Sequence, residues 1–267
     1  MPDKNGLLLS ESIVSTLSAP VVIFDDVDDN RIKACRQVPP ECGTAVAFDE
    51  SGEATGFLTP KQQTMLDLLL KNALVVPTTA RTSDGFKRVM LPYPGWAIVS
   101  FGGVILAPEG MPEPRWHERM QIESKKYEAE LNRLLSIVQK TAAGHGIDAR
   151  ARIVEDFGLN LFLSVKHNRK NLAELKTIAD QLQQELAKGF ALHFNGNFVA
   201  VMPPFLRKEY AVQWFIENMT APGAVLIGSG DSLTDLKFIG ICDWALIPTR
   251  SQSFSTLVRE VSEEDDN

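Results

Sequence analysis

The sequence has three cysteines in 267 residues, no long apolar run and no basic excess. Three scattered cysteines are too few for a disulfide framework or a structural zinc site, so a reducing compartment is expected. The 27 basic and 34 acidic residues give a net charge of -7, which argues against electrostatic nucleic-acid binding. No stretch approaches the roughly 20 apolar residues of a membrane span, and the first residues lack a signal-peptide pattern. These absences favour a cytoplasmic protein without nucleic-acid or membrane partners.

The order of apolar segments predicts an α/β protein. Short apolar runs alternate with amphipathic helical patterns before residue 107 and again after residue 207, which is typical of a parallel sheet with right-handed crossovers. Between them, helices are grouped with antiparallel strands. We therefore expect a doubly wound, mostly parallel, three-layer core of Rossmann-like form at 1–111 and 203–267, with an α+β domain inserted at 112–202.

An acidic segment follows the first apolar run of the chain. The run is residues 21–24, and the carboxylates of Asp25, Asp26, Asp28 and Asp29 come directly after it. Open α/β sheets place their ligands at the carboxyl ends of strands. Packing carboxylates together is costly unless a positive charge neutralises them. The segment therefore predicts either a divalent-metal site or a solvated acidic loop.

Two later loops follow apolar strands in the same way. Thr79 comes after the second strand, and Asp231 and Asp235 come after a later one. Because parallel strands end at one edge of a sheet, these residues are expected to meet Asp26 and Asp28 there. Mg²⁺ prefers carboxylate ligands. Such a set suits phosphoryl transfer, in which one carboxylate attacks phosphorus and a second carboxyl moves protons.

Four motifs in chain order carry a resemblance to a known family. They are Asp-Val-Asp-Asp-Asn at 26–30, Thr-Ala-Arg at 79–81, Lys208 at a helix start, and Gly-Asp-Ser-Leu-Thr-Asp at 230–235. In this order they resemble the haloacid dehalogenase superfamily, the aspartate-nucleophile phosphatases. The α+β segment at 112–202 looks like that family's type-2 cap, as in the branch similar to sucrose-phosphate phosphatases.

The resemblance implies roles for five residues. Asp26 would be the nucleophile and Asp28 the general acid and base, with Lys208 as a catalytic lysine. Mg²⁺ would be bound by Asp26, by the backbone carbonyl of Asp28 and by Asp231, with Asp235 beside it.

The resemblance also implies a phosphate-binding set, and here the chain departs from the family. Thr79, Asn30 and Lys208 would bind the phosphate. Asn30 stands where the family usually has threonine or serine, and Ala80 replaces a glycine. Asp25 adds a carboxylate before the nucleophile for which the sequence offers no explanation.

The expected function is Mg²⁺-dependent hydrolysis of a small phosphate monoester, such as a sugar phosphate, through an aspartyl phosphate. There are two alternatives. One is a phosphomutase that uses the same Asp26, and the other is a regulatory or binding protein with weak catalysis. The expected partner is the small phosphate ester, and the protein is expected to be a monomer or a homodimer.

Overall fold

The computed structural model describes residues 20–34 and 42–265, with side chains described up to residue 260. The chain divides into a first unit, Met1–Met111 with Lys208–Asn267, and a second unit, Pro112–Arg207. The second unit extends to Arg207 instead of residue 202. The guanidinium of Arg207 donates hydrogen bonds to the carbonyls of Gly189 and Pro203, which ties the end of this segment to its own unit.

The described helices and strands are numbered here in chain order. The first unit begins with β1 (Val21–Asp25), β2 (Lys33–Ala34), β3 (Thr44–Phe48), β4 (Ala54–Leu58), α1 (Pro60–Asn72), β5 (Leu74–Pro77), α2 (Ser83–Lys87), β6 (Ala97–Val99) and β7 (Val104–Leu106). The second unit contains α3 (Pro114–His145), β8 (Ala149–Asp156), β9 (Leu159–His167), α4 (Leu172–Glu185), β10 (Ala191–Asn195) and β11 (Phe198–Met202). The first unit then resumes with α5 (Lys208–Met219), β12 (Val225–Ser229), α6 (Leu236–Ile239), β13 (Trp244–Leu246) and α7 (Gln252–Asp265).

A four-stranded parallel sheet forms the centre of the first unit, in the order β13-β12-β1-β5. Residues 22–24 of β1 are fully buried, as an apolar strand covered on both faces requires. The last residue of β1, Asp25, is in register with Ser229 of β12 and with Pro77 of β5. The segments that follow these three strands therefore leave the sheet at one edge. The predicted parallel α/β core is confirmed.

A small antiparallel sheet, in the order β2-β4-β3, flanks the segment that follows β1. Val46 and Leu58 of this sheet pack in one apolar cluster with Val27 and Ile32. Val27 lies within the acidic segment, and Ile32 lies just after it. This segment is therefore held by the parallel sheet before it and by an apolar cluster within and after it.

Helix α1 begins with Thr59 as N-cap and Pro60 in the first turn, residue types that favour these positions. The hydroxyl of Thr59 accepts from the backbone of Gln62, and the Gln62 side-chain oxygen accepts from the Thr59 backbone, which is a capping box. The side-chain nitrogen of Gln62, Nε2, also donates to the carbonyl of Asn30, at 3.2 Å. The start of α1 is thereby fixed to the acidic segment.

Strands β6 and β7 pair antiparallel with each other, outside the four-stranded parallel sheet. Between them, Ser100 and Phe101 have positive φ of 53° and 57°, a conformation that is costly for residues with a side chain. The Ser100 amide donates to the carbonyl of Arg81, and the Phe101 amide donates to that of Thr79. The strained turn thus holds the loop after β5 in place.

The second unit has a core of its own. Its four strands form an antiparallel sheet in the order β10-β11-β9-β8. Leu131 and Leu134 of α3 and Ile178 of α4 pack with Leu163 of β9 and Val201 of β11 in one buried cluster. This is the α+β architecture expected for the segment. Across the described residues of both units, no helix is long and apolar enough to cross a membrane.

Candidate active site

Three carboxylates meet at the carboxyl edge of the parallel sheet. Asp26 directly follows β1, Asp231 and Asp235 follow β12, and oxygens of all three lie within 4.8 Å of one another. Lys208, the first residue of α5, donates to Asp26 Oδ1 at 2.7 Å and to Asp235 Oδ1 at 2.8 Å. Asp26, Asp235 and Lys208 are buried. The ammonium group therefore bridges two carboxylates that have little contact with water.

The pKa shifts of these groups reflect burial and an excess of negative charge. Burial raises the pKa of Asp26 well above its usual range, Lys208 opposes the shift, and the charges of Asp235 and Asp28 add to it. Burial lowers the pKa of Lys208. The negative charges of Asp235 and Asp26 and their hydrogen bonds to the ammonium outweigh this effect, so the pKa of Lys208 is raised overall. Burial and the charge of Asp235 raise the pKa of Asp231 to about 6. An added cation would stabilise the ionised carboxylates.

One glycine within β12 and one just after it allow the segment that carries Asp235 to pack closely against the strand end. A Cβ atom on Gly230 would lie 2.5 Å from the Cβ of Asp235, and one on Gly228 would lie 2.6 Å from the Cα of Ile239. Both positions therefore exclude a side chain. The backbone and hydroxyl of Ser232 donate to Asp235 Oδ2 at 3.1 and 2.6 Å. Asp235 is thus oriented with its other oxygen toward Lys208.

Asp28 lies outside this cluster and forms a paired contact with Arg81. Arg81 Nε donates to Asp28 Oδ2 at 2.8 Å, and Nη2 donates to Oδ1 at 2.7 Å. The Asp28 side chain is 47% exposed. Arg81 belongs to one of the four motifs but had no predicted role. The structure shows that it is the hydrogen-bond partner of Asp28, the predicted general acid and base. The predicted metal contact of Asp28 involves its carbonyl oxygen and stays a prediction.

Thr79 is buried at the end of β5 on the same edge of the sheet. Its amide donates to the carbonyl of Ile98, and its hydroxyl accepts from the amide of Arg81 at 3.1 Å. A hydroxyl that accepts one hydrogen bond still has a proton to donate. Thr79 therefore has a proton that it can donate to a phosphate oxygen, and its phosphate contact stays a prediction.

A buried polar group lies next to Asp26. Its members are Asp25, Asn30, Arg31 and Ser229. Asn30 Nδ2 lies within hydrogen-bond distance of Asp25 Oδ1, the carbonyl of Asp26 and the hydroxyl of Ser229, which share its two hydrogens. The predicted phosphate contact of Asn30 stays a prediction. Arg31 pairs with Asp25 at 2.6 Å. Burial raises the pKa of Asp25, and Arg31 opposes the shift. Sequence reasoning missed Arg31 and Ser229, because neither motif nor spacing distinguishes a buried arginine from an exposed one.

The site has the donor set and the charge for one divalent cation. The cluster of Asp26, Asp231 and Asp235 offers hard carboxylate oxygens, which suit Mg²⁺. With Asp28, Lys208 and Arg81 included, four carboxylates face two cations, and two negative charges remain when all are ionised. These residues therefore fit a bound Mg²⁺, which would be held by the three clustered carboxylates.

No protein-family model matches the chain, and no curated protein matches it in sequence. Solved structures do match it. A sucrose-phosphatase from Synechocystis, in complex with sucrose and phosphate, has a TM-score of 0.53 and 16% identity over 90% of this chain and 87% of its own. The C-terminal domain of a trehalose-6-phosphate phosphatase from C. albicans has a TM-score of 0.55 and 13% identity, over 87% and 77%. The chain has the fold of these two phosphatases.

The fold of this chain is also similar to that of a protein with a bound nucleotide. An IMP-bound mutant of an IMP-nucleotidase from Plasmodium falciparum has a TM-score of 0.55 and 10% identity, over 92% of this chain and 68% of its own. The matched proteins thus differ in the compounds that their descriptions name. At such low identity the likeness establishes the fold, and function has to be argued from the site.

Proposed function

We propose that the chain is a Mg²⁺-dependent phosphatase that hydrolyses a small phosphate monoester through an aspartyl phosphate. The observation that carries the proposal is the buried ammonium of Lys208, which bridges Asp26 and Asp235 beside Asp231. Buried carboxylates are costly to bring together, and charge clusters of this kind are concentrated at functional sites. A solvated acidic loop would need neither the burial nor the lysine.

In the first step, a carboxylate oxygen of Asp26 forms a bond to phosphorus while the bond from phosphorus to the substrate oxygen breaks. The carboxyl group of Asp28 donates a proton to the leaving oxygen, which departs as an alcohol. Lys208 and Thr79 hold the phosphate oxygens. Bound Mg²⁺ would supply charge compensation between the anionic nucleophile and the anionic phosphate.

In the second step, a water molecule attacks the phosphorus of the aspartyl phosphate. Asp28 takes a proton from the water as the new oxygen–phosphorus bond forms. The bond between phosphorus and Asp26 breaks, which restores the carboxylate and releases inorganic phosphate. Both steps use the same two aspartates, and Asp28 returns to its starting protonation state after each cycle.

The contact between Asp28 and Arg81 adds a requirement to this scheme. Both oxygens of Asp28 accept hydrogen bonds from Arg81 in the structure. The hydrogen bonds between Asp28 and Arg81 must therefore break before Asp28 donates a proton to a leaving oxygen. Its half-exposed side chain has room for such a change.

The proposed substrate class is a sugar phosphate or a similarly polar metabolite, with the second unit acting as the cap. The support is the fold, which is shared with phosphatases whose descriptions name sucrose and trehalose-6-phosphate. The first unit would then be the catalytic core and the second unit, Pro112–Arg207, the type-2 cap that selects the substrate.

The test is a screen of phosphorylated metabolites and a generic aryl phosphate, with Mg²⁺ and with EDTA. We expect release of inorganic phosphate that requires Mg²⁺ and is lost in Asp26→Asn. Asp180→Asn, at an exposed aspartate of α4, is the matched control and should retain full turnover. Wild-type turnover in Asp26→Asn would overturn the assignment of the nucleophile. An isomerised sugar phosphate would indicate a mutase, and ligand stabilisation without turnover would indicate a binding protein.

A further inference from the structure

A network of four buried side chains lies directly behind the nucleophile position. Arg31 Nε donates to Asp25 Oδ2 at 2.6 Å, and Arg31 Nη2 donates to the hydroxyl of Ser229 at 2.6 Å. Asn30 donates to Asp25 Oδ1 at 3.1 Å and to the same hydroxyl at 3.0 Å. Asp25 and Ser229 are completely buried, and Asn30 and Arg31 are less than 5% exposed. The network therefore connects the end of β1 to the end of β12 through side chains shielded from water.

This network is joined to both backbone groups of Asp26. The amide of Asp26 donates to the carbonyl of Ser229 at 2.8 Å, and the carbonyl of Asp26 accepts from Asn30 at 2.9 Å. The backbone of Asp26 is therefore held on one side by Ser229, which Arg31 contacts directly, and on the other by Asn30, which shares the partners Asp25 and Ser229 with Arg31. The direction of the Asp26 side chain depends on the orientation of these two peptide groups.

Stability alone does not account for a charged pair at this place. A buried ion pair costs so much desolvation that apolar residues of similar size often stabilise a protein as well or better. The planar guanidinium of Arg31, in contrast, contacts two groups on neighbouring strands in a fixed geometry. This property suits a residue that fixes a backbone, and a single point charge lacks it.

We propose that Arg31 is a positioning residue for Asp26, acting through Asp25 and Ser229 and with Asn30 as the link to the Asp26 carbonyl. The inference rests on the proposed function in that Asp26 is the nucleophile there. It also accounts for two departures from the family pattern. Asp25 is the anionic partner of Arg31, and Asn30 supplies two amide hydrogens where a threonine would supply one.

The test is Arg31→Lys, which keeps the charge but replaces the two-pronged guanidinium with a single ammonium. We expect the variant to fold, because Asp25 keeps a cationic partner. Amide hydrogen exchange in residues 26–32 should become about ten-fold faster or more, because the contact with Ser229 is lost. kcat should fall about ten-fold or more with KM nearly unchanged, because a small displacement of a reacting group is costly.

Two further variants make the outcome decisive. Arg133→Lys replaces a paired arginine on the surface of the second unit and should change neither exchange in residues 26–32 nor kcat. The double variant Asp25→Asn with Arg31→Met removes both buried charges, so no unpaired charge remains to prevent folding, and it should show the same fast exchange as Arg31→Lys.

Wild-type exchange in Arg31→Lys, or in the double variant if Arg31→Lys does not fold, would overturn the inference. A wild-type protein that releases no phosphate from any ester would overturn the proposed function instead. The exchange measurement would still decide whether Arg31 orders the backbone around Asp26. The two failures are therefore distinguishable.

Discussion

Replacing Lys208 with methionine tests the charge arrangement of the site most directly. Methionine keeps an unbranched side chain of similar length and removes the ammonium group. Asp26 and Asp235 would then face each other in a buried position without the cation that contacts both of them, at 2.7 and 2.8 Å.

The expected loss of stability follows from this geometry. Removing one partner of a buried charge pair typically costs about 3–5 kcal/mol, because the remaining charge stays buried. For a protein of this size such a loss corresponds to a fall in Tm on the order of 10 °C. Bound Mg²⁺ should reduce the loss, because it takes over part of the neutralisation of the same carboxylates.

The measurement is urea unfolding of wild type and Lys208→Met, each in EDTA and in Mg²⁺. Lys237→Met is the matched control, because Lys237 is an exposed lysine on α6, and its effect should stay within about 0.5 kcal/mol. If Lys208→Met unfolds at the wild-type urea concentration in EDTA, the ammonium does not stabilise the buried carboxylates. If Mg²⁺ leaves the difference between the two proteins unchanged, the proposed cation does not share this site.

Three further predictions concern other parts of the first unit. Gly230→Ala should lose Mg²⁺-dependent stabilisation in a thermal melt, because its Cβ would displace Asp235, whereas Gly144→Ala, in open space on α3, should raise stability by about 0.5–1 kcal/mol. Asp28→Asn should lower kcat by about 10²–10⁴-fold in a phosphate-release assay while Mg²⁺ binding persists, and an unchanged kcat would exclude Asp28 as acid and base. Thr59→Ala should cost about 1 kcal/mol in urea unfolding, because the capping box is lost, and a neutral result would contradict that role.

The sequence predicted well which residues meet at the carboxyl edge of the parallel sheet, for a physical reason. Strands buried on both faces leave continuous apolar runs, and the loops after them carry polar residues that have no place in a core. Asp26, Thr79 and Asp231 could therefore be assigned to one edge from chain order alone. The close approach of neighbouring atoms to the glycines at 228 and 230, in contrast, is seen only in the structure.

The contacts among charged side chains could not be read from the sequence. Whether Arg31 lies in water or pairs with Asp25 depends on the register of β1 against β12, which brings Ser229 beside Asp25. The contact of Arg81 with Asp28 likewise depends on the turn at Ser100. Composition and periodicity give no information on such long-range geometry.

The antiparallel pairing of β6 with β7 was also outside the reach of pattern reasoning. Three-residue apolar strands have no periodicity that separates parallel from antiparallel pairing. The turn between them uses Ser100 and Phe101 at positive φ, where a sequence-based argument looks for glycine. Here backbone hydrogen bonds to the loop after β5 accompany the strained conformation.

The side chain of Gln62 has a consequence for how mutations in this region should be interpreted. Its side-chain oxygen accepts a hydrogen bond from the Thr59 backbone at the start of α1, and its side-chain nitrogen donates one to the carbonyl of Asn30. One side chain therefore performs two separable tasks, a local one for the helix and a remote one for the loop that carries Asp26. Gln62→Glu would keep the acceptor and remove the donor, so a helix of normal stability could accompany an altered loop. A residue that a sequence comparison would class as an ordinary helix cap thus also supports the candidate active site.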